Sequence, residues 1–227
     1  MTATALDSPL AKAVQFYDAP IGKKVVMAIT GAILFGFVLV HMAGNLQFFL
    51  GREIFDHYGM ALKATPALLW GVRTVLLVSV ILHIVASVQL IALNQKARPS
   101  AYKKKEAVDS SYAARTMTWS GPILAAFIVY HLLHFTLGTV HPSFEEGHVY
   151  DNVIAGFRVI PVSIAYIVAM VLLGMHLNHG VWSMFQSLGV GNPRYSAAAR
   201  RFAQVFSTLI VLGFISIPIA VMAGYGS

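Results

Sequence analysis

The sequence predicts an all-α polytopic membrane protein with five transmembrane helices, and three observations carry that expectation. Of its 227 residues, 57% are hydrophobic and only 11% charged, where a soluble domain has roughly a quarter charged. Five apolar runs, 25–50, 67–93, 119–140, 160–184 and 202–223, each reach the roughly 20 residues that a helix needs to cross a hydrocarbon core of about 30 Å. Lys and Arg gather on alternate connections. Lys12, Lys23, Lys24, Lys96, Arg98, Lys103, Lys104, Lys105, Arg115, Arg194, Arg200 and Arg201 fall on one side, and Arg52, Lys63, Arg73 and Arg158 on the other. Barrel strands are excluded because they alternate in segments of about ten residues.

Residues 1–24 form an N-terminal arm that the positive-inside rule places in the cytoplasm, and residues 25–223 form the membrane domain, with the C-terminus outside. Within the arm, Pro9 to Phe16 reads equally as a short interfacial helix or a flexible tail, broken by Ala19-Pro20-Ile21-Gly22. No cleavable leader is expected, because the arm is polar up to Lys24 and the first apolar run is longer than a signal core. The connection Tyr102 to Arg115 is basic and either docks an acidic partner or anchors to lipid headgroups. Pro122, Pro161 and Pro218 are placed in the first turns or near the ends of spans, where a missing donor costs little.

All connections are short, so a soluble catalytic domain has no room and chemistry on a water-soluble substrate needs a partner chain. The net charge of +7 is explained by topology, with basic residues lying where anionic headgroups attract them, and it implies no nucleic acid. The chain has no cysteine. That excludes disulfides, thiolate-held metals and an iron–sulfur cluster on this chain, leaving His, Met or carboxylate as metal ligands.

Histidine supplies the candidate site. Six of the nine histidines, His41, His83, His131, His134, His176 and His179, fall within four consecutive spans, and ionisable groups in a membrane mark function by default. Two ligands of one haem iron must lie at one depth. At about 1.5 Å per residue, His41 lies about 25 Å beyond Lys24 and His131 about 24 Å beyond Arg115, while His83 precedes Lys96 by about 20 Å and His176 precedes Ser187 by about 16 Å. The depths pair His41 with His131, and His83 with His176 nearer the cytoplasm, as two bis-histidine haem sites in a four-helix bundle flanked by a fifth helix. Two imidazoles on one iron leave no open position, which suits electron transfer. His134 and His179 follow candidate ligands by three residues and share their faces, as alternative ligands or as hydrogen-bond donors; spacing alone leaves His131 against His134 open. His57, His141 and His148 read as solvated loop residues. Gly44, Ser79, Ser87, Gly174 and Gly180 either admit a flat macrocycle or serve ordinary helix packing.

Three runs carry a family resemblance: Ile21-Gly22-Lys23-Lys24 through Ala28-Ile29-Thr30-Gly31 to His41-Met42-Ala43-Gly44-Asn45-Leu46, Tyr130-His131-Leu132-Leu133-His134-Phe135-Thr136, and His176-Leu177-Asn178-His179-Gly180-Val181-Trp182-Ser183. They resemble the cytochrome b membrane-anchor subunit of bacterial succinate dehydrogenase (succinate:quinone oxidoreductase), in the form where one five-helix chain carries two b haems. The resemblance implies one ligand on each of the first four helices, at His41, His83, His131 and His176, and favours His131 over His134. It also implies a flavoprotein subunit and an iron–sulfur subunit on the cytoplasmic face of a bacterial membrane, and a larger oligomer of the complex. Electrons would pass from the inner haem at His83 and His176 to the outer haem at His41 and His131, then to quinone, commonly menaquinone, near Arg73, His134 or Tyr58. Glu53 and Asp56 are proton carriers or plain loop charges.

The rival readings are the dihaem anchor of a hydrogenase, formate dehydrogenase or nitrate reductase, a histidine-based metal or proton transporter, and an anchor that has lost haem. A transporter predicts carboxylates beside the membrane histidines, and all nine Asp and Glu lie outside the spans.

Overall fold

The computed structural model describes residues 8–97, 112–187, 189 and 192–226; Arg98, Lys103, Lys104 and Lys105 of the basic connection lie outside them. The chain starts α1 (Pro9–Asp18) at Ser8, whose hydroxyl accepts the Ala11 N–H at 3.1 Å, with Pro9 in the first turn, where its missing donor costs nothing. The arm is therefore helical over this stretch. α2 (Pro20–Asn45) follows after a single extended residue, Ala19. Gly22 permits this tight corner, since a Cβ there would strike the Phe16 carbonyl. Lys23 is buried, and its Nζ donates to the Tyr17 and Asp18 carbonyls at 2.8 and 3.0 Å, capping the free end of α1. The Tyr17 hydroxyl donates to Gln89 at 2.9 Å, which ties α1 to the next long helix.

α2 ends in a 3-10 turn, Leu46–Leu50, and at Gly51 with φ of 100°, a region open to glycine at little cost. There follow α3 (Arg52–Lys63), α4 (Pro66–Lys96), α5 (Tyr112–His131) running into a π-helical turn (Leu132–Thr136), α6 (Val149–Arg158), α7 (Ile160–Ser187) and α8 (Pro193–Met222), with no strand among the described residues. Among the described residues, five stretches are long and apolar enough to cross a membrane: Pro20–Leu50, Pro66–Lys96, Arg115–Thr136, Ile160–Ser187 and Arg194–Met222. Pro161 lies in the first turn of α7 and Pro218 near the end of α8. Pro122 instead lies inside α5, because that helix already begins at Tyr112.

α2, α4, α5 and α7 form a four-helix bundle. α2 packs on α4 and on α7, α5 packs on α7, and α8 lies against α7 and α2. The fourth edge, between α4 and α5, has no extensive contact among the described residues, nor do the diagonals α2–α5 and α4–α7. The α4 face that packs on α2 is a stripe of Ser79, His83, Ala86 and Leu90, with Ser79, Ala86 and Leu90 buried, spaced as one helical face requires. α7 and α8 approach closely at Gly174, where a Cβ would meet the Val211 side chain. Gly174→Ala is expected to destabilise the bundle in detergent by about 1–3 kcal/mol, and adding Val211→Ala to recover most of the loss; a thermal double-mutant cycle reads the coupling, and independent, additive effects would rule the contact out.

The α3/α6 end is closed by an aromatic cap. Phe48, fully buried, stacks on Tyr150 at 5.0 Å between centroids and meets Phe55 at 6.0 Å and Tyr225 at 5.3 Å. Arg52 pairs with Asp151 across α3 and α6, and the Asp56 carboxylate accepts the Tyr150 N–H at 2.8 Å, where the helix dipole favours a negative charge. Asp56 is thus held at the α6 N-terminus. Lys63 bonds Glu146 at 2.9 Å, and that hydrogen bond and charge hold the exposed Glu146 carboxyl below the usual carboxylate range.

Candidate functional site

The six span histidines fall into two groups along the bundle. Nearer the α3/α6 end, His41 of α2 and His131 at the end of α5 bring their rings to 5.8 Å between centroids at 77°. Nearer the α1 end, His83 of α4 and His176 of α7 stand 6.3 Å apart at 54°. Both pairs span diagonals of the bundle, joining helices that do not otherwise pack on each other. A metal–imidazole bond of about 2.0–2.1 Å, with the ring centre about 1.1 Å further on, places two imidazoles on opposite sides of one metal about 6.3 Å apart. The observed separations fit two histidines sharing a metal from opposite faces.

The other ring nitrogens have their own surroundings. Thr30 donates its hydroxyl to the Val26 carbonyl at 2.8 Å, so its oxygen is free to accept from His83 Nδ1 at 3.2 Å. That arrangement leaves the lone pair on His83 Nε2, the form that binds a metal. Gly31 lies beside this ring; a Cβ there would stand 3.4 Å from His83 Cε1. The Asn45 amide donates to the His41 carbonyl at 2.6 Å and lies 3.3 Å from His41 Nδ1, while Phe37 stacks on the His41 ring at 5.2 Å. His176 Nδ1 is buried without a hydrogen-bond partner. A buried polar nitrogen left unpaired is costly, and it marks this ring as held for something other than packing.

His131 is followed by the π-helical turn, a distortion that occurs frequently at functional sites. His134, within the turn, is fully buried, and it is His131 whose ring faces His41. His134 instead bonds the Tyr166 hydroxyl through Nδ1 at 3.0 Å, stacks on Tyr130 at 5.5 Å, and leaves Nε2 buried without a partner. His179 lies partly exposed on α7, and His83 faces His176. Arg73 sits over the Trp70 ring at 5.1 Å.

Tyr58 packs its phenol over Gly44, one turn beyond His41, and lines an open groove of about 510 Å³ with Gln47, Glu53, Ile54, His57 and Ala61. His57 therefore belongs to a concave surface. His57 itself is exposed, as expected, whereas His141 departs from the sequence reading: it is partly buried, its Nε2–H donates to the Asn152 carbonyl at 2.8 Å, its Nδ1 accepts the Ser143 N–H at 3.1 Å, and its ring lies 4.8 Å from that of His134. Thr30 and Tyr166 were not singled out by sequence reasoning. The only signal was a polar side chain within an apolar span, which helix packing alone also produces.

Residues 97–216 match the family described as succinate dehydrogenase/fumarate reductase transmembrane subunit. The chain belongs to that family. No curated protein and no solved structure gives a match. A succinate dehydrogenase/fumarate reductase transmembrane subunit is the membrane part of a complex with other succinate dehydrogenase subunits, consistent with the five membrane-length helices among the described residues. The matched stretch contains His131, His134, Tyr166, His176 and His179, so one ring of each facing pair lies inside it; His41 and His83 precede it.

Proposed function

We propose that the chain is the dihaem cytochrome b anchor of a succinate:quinone oxidoreductase, carrying electrons from an iron–sulfur partner to membrane quinone. The observation that carries this reading is the pair of histidine couples facing each other across the bundle diagonals, at 5.8 and 6.3 Å. Two b haems bound there supply one-electron transfer. His83 and His176 would hold the inner group and His41 and His131 the outer one, each iron taking two imidazoles, a donor set suited to electron transfer rather than oxygen binding. Thr30 and the Met27 backbone carbonyl both lie within hydrogen-bond reach of the His83 ring. Among the described residues the α4–α5 edge and the two diagonals lack extensive helix contact, and it is across those diagonals that the flat rings would lie.

The flavoprotein and iron–sulfur subunits dock on the face that carries α1 and the basic connection, which the positive-inside rule places in the cytoplasm of a bacterial cell. Quinone, of the menaquinone type, is received at the opposite end. There the groove beside Tyr58 offers Gln47, His57 and Tyr58 as donors and Glu53 as an acceptor. Tyr58 links this groove to α2 at Gly44, one turn from His41. Arg73 and His134 are engaged by Trp70 and Tyr166, so Tyr58 is the residue of the three that lines the quinone groove.

The test is a reduced-minus-oxidised visible spectrum of the purified chain with pyridine haemochrome quantitation. The expected result is b-type haem at roughly two equivalents per chain. Freshly isolated membranes in which the chain carries no haem would remove the electron-transfer reading.

A further inference from the structure

The structure assigns a positioning role to Tyr166: its hydroxyl holds the His131 imidazole in the tautomer that ligates iron and lowers the reduction potential of the haem bound there. This inference rests on the haem reading above.

Tyr166 sits in the first half of α7 with 6% of its surface exposed. Its ring is boxed by Phe127 at 4.9 Å, Phe157 at 5.0 Å, Phe135 at 5.7 Å and Tyr130 at 6.0 Å. These contacts fix the phenol axis and hence the position of Oη. A phenylalanine would fill the same box, so packing alone does not explain the hydroxyl, whose burial is unfavourable unless it is bonded. It is bonded twice, to His134 Nδ1 at 3.0 Å and to His131 Nδ1 at 3.4 Å.

A phenol has one proton to give. If it goes to His131, that ring must carry its own proton on Nε2 and has no lone pair left for a metal. If it goes to His134, the nearer of the two, the phenol oxygen accepts from His131 Nδ1–H and His131 Nε2 is free to ligate. Ligation by His131 therefore orders the chain in one direction, His131 Nδ1–H to Tyr166 to His134 Nδ1, and leaves the His134 proton on Nε2, which is buried without a partner. The ordered donation strengthens the phenol as an acceptor. An imidazole that donates through Nδ1 is a more basic ligand, and a more basic axial ligand favours ferric over ferrous iron. Three of the four facing rings thus have a side-chain neighbour at Nδ1, Tyr166 for His131, Asn45 for His41 and Thr30 for His83, while His176 Nδ1 has no partner.

The test is an equilibrium redox titration of the haem-loaded protein, resolving the two midpoints in the visible spectrum and the two ferric signals in low-temperature electron paramagnetic resonance. The outer haem is identified as the one lost in His131→Ala. Tyr166→Phe is expected to retain both haems, to shift the outer reduction equilibrium about tenfold toward ferrous, about 59 mV for a one-electron couple, and to leave the inner midpoint unmoved. Thr30→Val, at the other pair, is the specificity control and leaves the outer midpoint unmoved. Two bound haems with an unmoved outer midpoint in Tyr166→Phe overturn the inference while leaving the haem reading intact. Should Tyr166→Phe fail to hold the outer haem, His134→Phe decides, since it keeps Tyr166 but removes its acceptor: a raised outer midpoint supports the inference and an unchanged one overturns it. A wild-type chain without haem overturns both readings together.

Discussion

Replacing His83 or His176 by alanine is expected to cut haem content by roughly half, with the inner haem lost and the outer retained, because one axial nitrogen alone holds the macrocycle poorly against extraction. The two rings stand 6.3 Å apart on α4 and α7, helices that pack on α2 and α5 rather than on each other. No neighbouring histidine replaces either from across the bundle: His179 is a turn away on α7, and the Thr30 side chain bonds its own helix carbonyl. His41→Ala and His131→Ala are expected to give the mirror result, and His134→Ala to retain both haems, since His131 is the ring that faces His41. Pyridine haemochrome counts with low-temperature spectra of all five variants check this. Retention of both haems in His83→Ala and His176→Ala would show that the pairing is wrong.

Phe48→Ala is expected to destabilise the protein by about 3–5 kcal/mol, the range for a fully buried phenylalanine whose cavity cannot collapse. Phe48 is fully buried in the 3-10 turn at the end of α2, enclosed by Phe49, Phe55, Tyr150 and Tyr225. Its contacts draw on three separate segments, the α3 helix, the α6 helix and the C-terminal Tyr225, so no single side chain can move in to fill the space. Thermal unfolding in mild detergent measures the loss. A melting point unchanged from the parent would mean that the cap is not a cooperative part of the fold.

The long spans were legible in the sequence because hydrocarbon demands unbroken apolar length, and five such runs leave little choice of fold. The adjacency of the rings was legible in part for a similar reason: depth is counted in residues, and it brings His41 level with the His131/His134 pair of α5 and His83 level with His176. What depended on rotation about a helix axis or on short amphipathic pieces was hidden. α3 and α6 are only 12 and 10 residues long and gain their order from Phe48 and from each other. His141 sits in a loop beyond the span, yet α6 folds back and supplies the Asn152 carbonyl to its ring. Tyr166 and Thr30 matter because of where a second helix places an imidazole, which no pattern within α7 or α2 reveals. The choice between His131 and His134 was likewise open until the π-helical turn and the facing His41 ring fixed their directions.

Three edges of the bundle are packed, the fourth is open, and the histidine couples lie on the diagonals. A four-sided frame hinged at its corners can shear without breaking any side, and a brace along either diagonal stops it. With a metal joining each couple, the bundle has two braces at two heights, and either one is enough to keep the frame square. On the proposed dihaem reading, a chain that loses one group should therefore still hold its α1 end in place, whereas a chain that loses both is free to lean.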